Sequence, residues 1–142
     1  MLEEKIICAD VATQTLIIGG GIAGLTTALK LAEFSSVVLI SKGCLREANS
    51  YYAQGGIATV LSDDDSFEKH IEDTLIAGAG LCHRDIVKMV VESGPKVIRE
   101  LIDLGVKFTR NRVDGDYHLT KEGGHSKRRV IHSDDLTGKA VM

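Results

Sequence analysis

Hydrophobic and polar positions change period several times along this chain, and each change marks an element. Residues 15–18 are Thr-Leu-Ile-Ile, a strand pattern; they run into three glycines, after which Ile22, Leu25, Leu29 and Ala32 recur at helical spacing. A strand, a tight turn and an amphipathic helix are predicted. A second apolar run at 37–41 follows the short Phe34-Ser35-Ser36 turn, so the two strands are expected to pair in parallel through a right-handed crossover. Residues 44–56 show neither period and read as a loop. The apolar run 57–61 is broken by Ser62-Asp63-Asp64-Asp65. Asp65 and Glu68 then have capping-box spacing, and Phe67, Ile71 and Leu75 line one face of a helix that reaches Gly78.

Beyond Arg84, Ile86, Val87, Val90 and Val91 form one helical face and Val97, Ile98, Leu101 and Ile102 another. Gly94-Pro95 between them predicts two helices, with the proline as a first helical residue. Gly105 closes the second. Residues 106–112 then face 116–120 across Val113-Asp114-Gly115, a predicted hairpin. The segment 134–142 reads as a capped helix start.

The turn after the first strand carries candidate chemistry. Gly19, Gly21 and Gly24 have the G-x-G-x-x-G spacing of dinucleotide-binding turns: the first glycine permits the turn, the second lets a pyrophosphate approach the backbone, and the third lets helix pack on strand. Gly20, Ile22 and Ala23 complete the loop, and the helix start that follows favours an anion. A glycine-rich turn with no ligand is the alternative. A nicotinamide site places an acid about 20 residues on, whereas the second strand here ends in Ser41 and Lys42. Lys42 either steers a phosphate-rich cofactor or is a solvated strand end. The motif by itself leaves FAD and NAD open.

Composition narrows the class. The chain has 142 residues, 44% hydrophobic content and a formal net charge of −3, which suits one globular domain. The strands recognisable in it are too few for a full dinucleotide-binding sheet, so the fold reads as incomplete. Mild acidity argues against a nucleic-acid surface, and the basic run Lys127-Arg128-Arg129 reads as a solvated face. No apolar run is long enough to span a membrane, and the first fourteen residues carry acids where a secretory signal carries positive charge. A cytoplasmic location is expected. Cys8, Cys44 and Cys82 show no paired spacing, so they read as buried or incidental thiols.

Two further stretches are candidates. Tyr51-Tyr52 and Gly55-Gly56 suggest backbone fitted against something flat. Near the end, Glu122, His125 and His132 gather around Gly123-Gly124, where a carboxylate can orient a cationic group; a polar turn is the equally good alternative. His118, His125 and His132 lie seven apart, which is not a helical ligand pair, and no metal is expected.

The order GGGIAGL, LISKG, SYYAQGGIA, DTLIAGAGLC and LTKEGGHSKRRVIH with DLTG resembles the N-terminal part of the L-aspartate oxidase family, which belongs with the flavoprotein subunits of succinate dehydrogenase and fumarate reductase. The resemblance implies an α/β fold: an incomplete Rossmann-type FAD-binding domain, three-layered with a parallel sheet core, plus added helices and a hairpin. Residues 1–142 would be its N-terminal portion, with the capping and C-terminal domains, and the family's catalytic arginine, outside this chain. FAD is the implied cofactor: Gly19 to Gly24 under the pyrophosphate, Lys42 at the adenosine side, and Asn49, Ser50, Tyr51, Tyr52, Ala53, Gln54, Gly55 and Gly56 along the flavin. Asn49 stands where succinate dehydrogenases carry a flavin-linked histidine, which implies noncovalent FAD. Glu122 matches the carboxylate that orients the substrate amino group. The implied reaction takes L-aspartate to iminoaspartate, with oxygen or fumarate as acceptor, and hands the product to quinolinate synthase in NAD biosynthesis. A fumarate reductase relative and an inactive FAD-binding fragment are the alternatives.

Overall fold

A computed structural model describes residues 10–142. Cys8 and most of the N-terminal lead-in therefore lie outside the described residues. The chain divides into two compact units, one ending at Ala48 and the other Asn49–Met142.

The first unit is the predicted strand, helix and strand. β1 (Thr15–Ile18) and β2 (Val37–Ile40) pair in parallel, Thr15 opposite Val37 through Ile18 opposite Ile40. Between them runs α1 (Ile22–Ala32), whose N-cap Gly21 is extended and offers no side chain to the helix start. Three β-branched residues of four at 15–18 suit the pleat, and the alternation of half-buried Thr15 and Ile17 with exposed Leu16 and Ile18 follows its period of two.

The second unit begins with α2 (Asn49–Tyr52), a single helical turn in what the sequence presents as a loop. Four residues are too few to establish a helical period, which is why the pattern does not show it. β3 (Ile57–Ala58) leads to α3 (Phe67–Ala77). Its N-cap is Ser66, whose hydroxyl accepts the Lys69 N–H at 3.3 Å, and not Asp65 as the capping-box spacing predicts. Asp65 is engaged elsewhere, by Arg129.

α4 (Arg84–Asp103) corrects the two-helix expectation: it is one continuous helix with Pro95 inside it. Proline removes one amide donor from the helix ladder, but Val91 and Ile98 are both buried on the same face, one turn or so either side of it. Burial of that stripe outweighs the local defect. Gly94 lets this face lie close to Thr59, the residue that follows β3, since a Cβ there would stand 2.6 Å from the Thr59 hydroxyl.

The predicted hairpin is reduced to one bridge, Arg110 opposite Tyr117, closed by Asn111 N–H to Asp116 carbonyl at 2.8 Å. The pairing that organises this unit is a different one. β4 (Leu119–Thr120) and β3 flank β5 (Val130–Ile131) in an antiparallel sheet, with Ile131 opposite both Ile57 and Leu119. Ile98, Phe108 and Ile131 form the buried core on which Leu61, Leu101 and Tyr117 pack. A last short helix, α5 (Thr137–Val141), packs against α2.

Candidate functional site

In the first unit the glycine turn has the geometry that its spacing predicts. Gly19 adopts φ +119, a region that side-chain-bearing residues avoid, and nothing lies within 4 Å of where its Cβ would be. Its amide is spent on β2, donating to the Ile40 carbonyl at 2.8 Å. A Cβ on Gly24 would collide with the Gly19 carbonyl, so only glycine lets α1 begin this close to β1. Gly20 is buried beneath Ser41 and Leu45, while Ile22, Ala23 and Lys42 are exposed. An open turn feeding a helix start whose first amides have no acceptor within the helix suits a pyrophosphate. These residues fit the group that the spacing implies.

In the second unit the 49–56 segment is fixed at both ends. Gly138 N–H donates to the Ala53 carbonyl at 2.9 Å, and a Cβ on Gly138 would strike the Ser50 carbonyl, so the first turn of α5 closes directly onto α2. At the other end a Cβ on Gly56 would strike the Ile131 carbonyl of β5. Between these anchors Asn49, Tyr52, Ala53, Gln54 and Gly55 are exposed, and the rings of Tyr51 and Tyr52 meet edge to face at 5.4 Å. The result is a braced strip with an accessible aromatic, which suits a flat conjugated ring.

Glu122 opens a tight turn. His125 N–H donates to the Glu122 carbonyl at 3.2 Å, and Gly124 takes φ +84 at the third turn position, as a type II turn requires. The Glu122 side chain is exposed and makes no hydrogen bond or ion pair to the described residues. It is free to take a cationic ligand.

Immediately behind this turn lies a network that the sequence reading missed. Arg129, with no side-chain exposure, donates from Nε and Nη2 to the two oxygens of Asp65, both at 2.8 Å, and from Nη1 to Asp73 Oδ2 at 2.6 Å. The basic run 127–129 is therefore not one solvated face; Arg129 is its buried member. Asp73 Oδ2 also accepts the Ser126 N–H at 2.7 Å and hydroxyl at 2.8 Å. Partial burial pushes the Asp73 carboxyl up, but the Ser126 bonds and Arg129 outweigh it and hold it at about 2. Burial likewise works against the Arg129 charge, and its two carboxylates more than offset that. A signal existed: Asp73 is three residues from buried His70 and so shares the inward face of α3.

Four of the five histidines sort into two pairs. His118 Nδ1 lies 2.8 Å from His132 Nε2, and His132 Nδ1 is 3.1 Å from the Asp134 carbonyl; since a carbonyl only accepts, His132 carries a proton on Nδ1, and when its ring is neutral its Nε2 accepts from His118. His125 instead stacks edge to face with His70 at 5.7 Å, and the Nδ1 atoms of both are buried without a partner among the described residues. An open cleft of about 980 Å³ runs past Asp64, Tyr117, His118, Lys121 and Ser126, but Glu122 does not line it.

Comparison with known proteins settles the class of the chain. Residues 14–142 match the family model of the FAD binding domain. The chain belongs to that family. Its cofactor is FAD. The L-aspartate oxidase of Pseudomonas aeruginosa is 51% identical over 91% of this chain, and L-aspartate oxidase 1 of Ralstonia nicotianae 53% identical over 89%. The chain spans about a quarter of the length of these curated relatives, 25% and 24%. Among solved structures, the quinol fumarate reductase of E. coli superposes with a TM-score of 0.84 at 32% identity, over 91% of this chain and 22% of that one. The α/β fold of incomplete Rossmann type is thereby placed among flavoprotein oxidoreductases.

Proposed function

We propose that this chain forms the FAD-holding part and the amine-recognising carboxylate of an L-aspartate oxidase, which converts L-aspartate to iminoaspartate. The observation that carries the reading is the exposed, unpaired Glu122 on its glycine turn, in a chain about half identical to L-aspartate oxidases. The turn Gly19 to Gly24 would hold the pyrophosphate, Lys42 the adenosine side, and Asn49 to Gly56 the flavin ring. Bound FAD supplies the hydride-accepting chemistry. Asn49 has no imidazole for a covalent link, so the cofactor is held noncovalently. Oxygen or fumarate takes the electrons, and the unstable imine passes to quinolinate synthase in the cytoplasm, within NAD biosynthesis.

Glu122 acts by compensation. An ammonium group that enters a closed site loses its water, and burying it unpaired is costly. A carboxylate beside it offsets that cost, and a charge-assisted hydrogen bond is worth about 1.5 to 3 kcal/mol. In the full-length protein Glu122→Gln should therefore lower kcat/KM for L-aspartate by roughly 10- to 100-fold. Fumarate carries no amine, so its reduction should change far less. Equal losses in the two assays would refute the amine-reading role. The same pair of assays separates the second reading, a fumarate reductase-type flavoprotein, which the superposition on quinol fumarate reductase favours; such an enzyme would show fumarate reduction without aspartate oxidation.

A further inference from the structure

Between Thr120 in β4 and Val130 in β5 the chain makes an excursion, residues 121–129, that carries Glu122. Its geometry depends on what fastens it, because two adjacent glycines, Gly123 and Gly124, leave the backbone permissive. At the base, Arg129 N–H donates to the Thr120 carbonyl at 3.1 Å, and within the excursion the His125 N–H closes onto Glu122 at 3.2 Å. Neither contact ties the turn to another element, and where the His125 ring meets His70 of α3 edge to face at 5.7 Å the Nδ1 atoms of both rings are without a hydrogen-bond partner among the described residues. Lys127 reaches Asp64 at 3.0 Å, but both side chains are solvent-accessible, and such a pair holds little.

Asp73 is different. It stands on α3, an eleven-residue helix, and its Oδ2 takes three bonds at once: the Ser126 amide, the Ser126 hydroxyl and Arg129 Nη1. Arg129 is in turn locked by the two-pronged grip of Asp65, so the oxygen that holds Ser126 cannot change rotamer without breaking a buried ion pair. Two carboxylates face one guanidinium, and the two Ser126 donors compensate the surplus negative charge. Rigidity thus passes from α3 through Asp73 to Ser126, at the end of the turn that starts with Glu122. We propose that Asp73 is a positioning residue, whose carboxylate anchors the turn presenting Glu122 and so tunes the site for an ammonium-bearing substrate; this rests on the reading of Glu122 given above.

The test uses the full-length flavoenzyme with FAD bound, as Asp73→Asn, Ser126→Ala, Glu122→Gln and the double variant of Asp73 and Glu122. Amide hydrogen exchange across residues 121–128 should speed up by about tenfold or more in Asp73→Asn, and by less in Ser126→Ala. The kcat/KM for L-aspartate should fall by about tenfold in Asp73→Asn, while fumarate reduction changes less than about twofold. Added to Glu122→Gln, the Asp73 change should cause no further loss. Unchanged exchange, an equal loss on both substrates, or a full-sized loss that persists in the Glu122→Gln background would each overturn the proposal. Ser126→Ala keeps every carboxylate–guanidinium bond, so it decides by the same readouts if Asp73→Asn does not fold. Faster exchange together with a Glu122→Gln variant that keeps its rate on aspartate would support the anchor and overturn the amine-reading role instead.

Discussion

Asp73 holds its proton far more weakly in the folded chain than in the unfolded one, and the sign of the resulting pH dependence follows directly. The carboxyl sits at about 2 in the fold against an ordinary value of 3.8. A depressed carboxyl contributes stability that is fully present above 3.8 and is lost as pH falls toward 2. The shift corresponds to about 2 kcal/mol. Urea midpoints measured from pH 5 down to about 2.5 should show that loss, and Asp73→Asn should show a flatter profile over the same window. His70 acts in the same sense at higher pH: burial, then Arg129 and His125, push it down, so its contribution is present above 6.5 and declines as pH falls below it. The geometry of the glycine turn at 19–24 was legible because a turn is set by neighbouring residues. Arg129 was not, because its partners Asp65 and Asp73 are distant in sequence, and a charge beside two other basic residues looks solvated until the fold closes around it.

At the scale of elements, local period found β1, α1, β2 and α3 nearly to the residue, and failed where a distant contact outweighs a local signal. Pro95 reads as a boundary, yet the buried stripe of Val91 and Ile98 carries α4 through it. Asp65 reads as a cap, yet its carboxylate is taken by Arg129 and Ser66 caps in its place. The antiparallel sheet escaped for a related reason: its strands are two residues each, too short to show alternation. Gly94 tests how tightly α4 lies on Thr59. Alanine normally gains about 1 kcal/mol over glycine in a helix, but here its Cβ would stand 2.6 Å from the Thr59 hydroxyl and 3.2 Å from its Cβ, with Thr59 fully buried. Overpacking of that kind costs about 1 to 3 kcal/mol. Gly94→Ala should therefore destabilise by about 1 kcal/mol, read as a lower urea midpoint at unchanged slope; a raised midpoint would show that Thr59 yields easily.

For the molecule as a whole, the mode of flavin attachment is the property most simply checked. Asn49 is exposed on α2, and its carboxamide cannot form the bond that an imidazole nitrogen can. Acid precipitation of the full-length protein should leave a colourless pellet and free FAD in the supernatant; flavin mass retained on a peptide would contradict the noncovalent reading. The two units also differ in the distance along the chain that each must close. β1 and β2 are joined through one helix, whereas Ile57 of β3 must find Ile131 of β5. At about 5 to 20 residues per second of synthesis, roughly 4 to 15 seconds separate the appearance of those two residues. On the ribosome the glycine-turn unit can close its strand pair while β3 still waits, with Thr59 and the apolar side of α4 uncovered, for a partner that has not yet been translated.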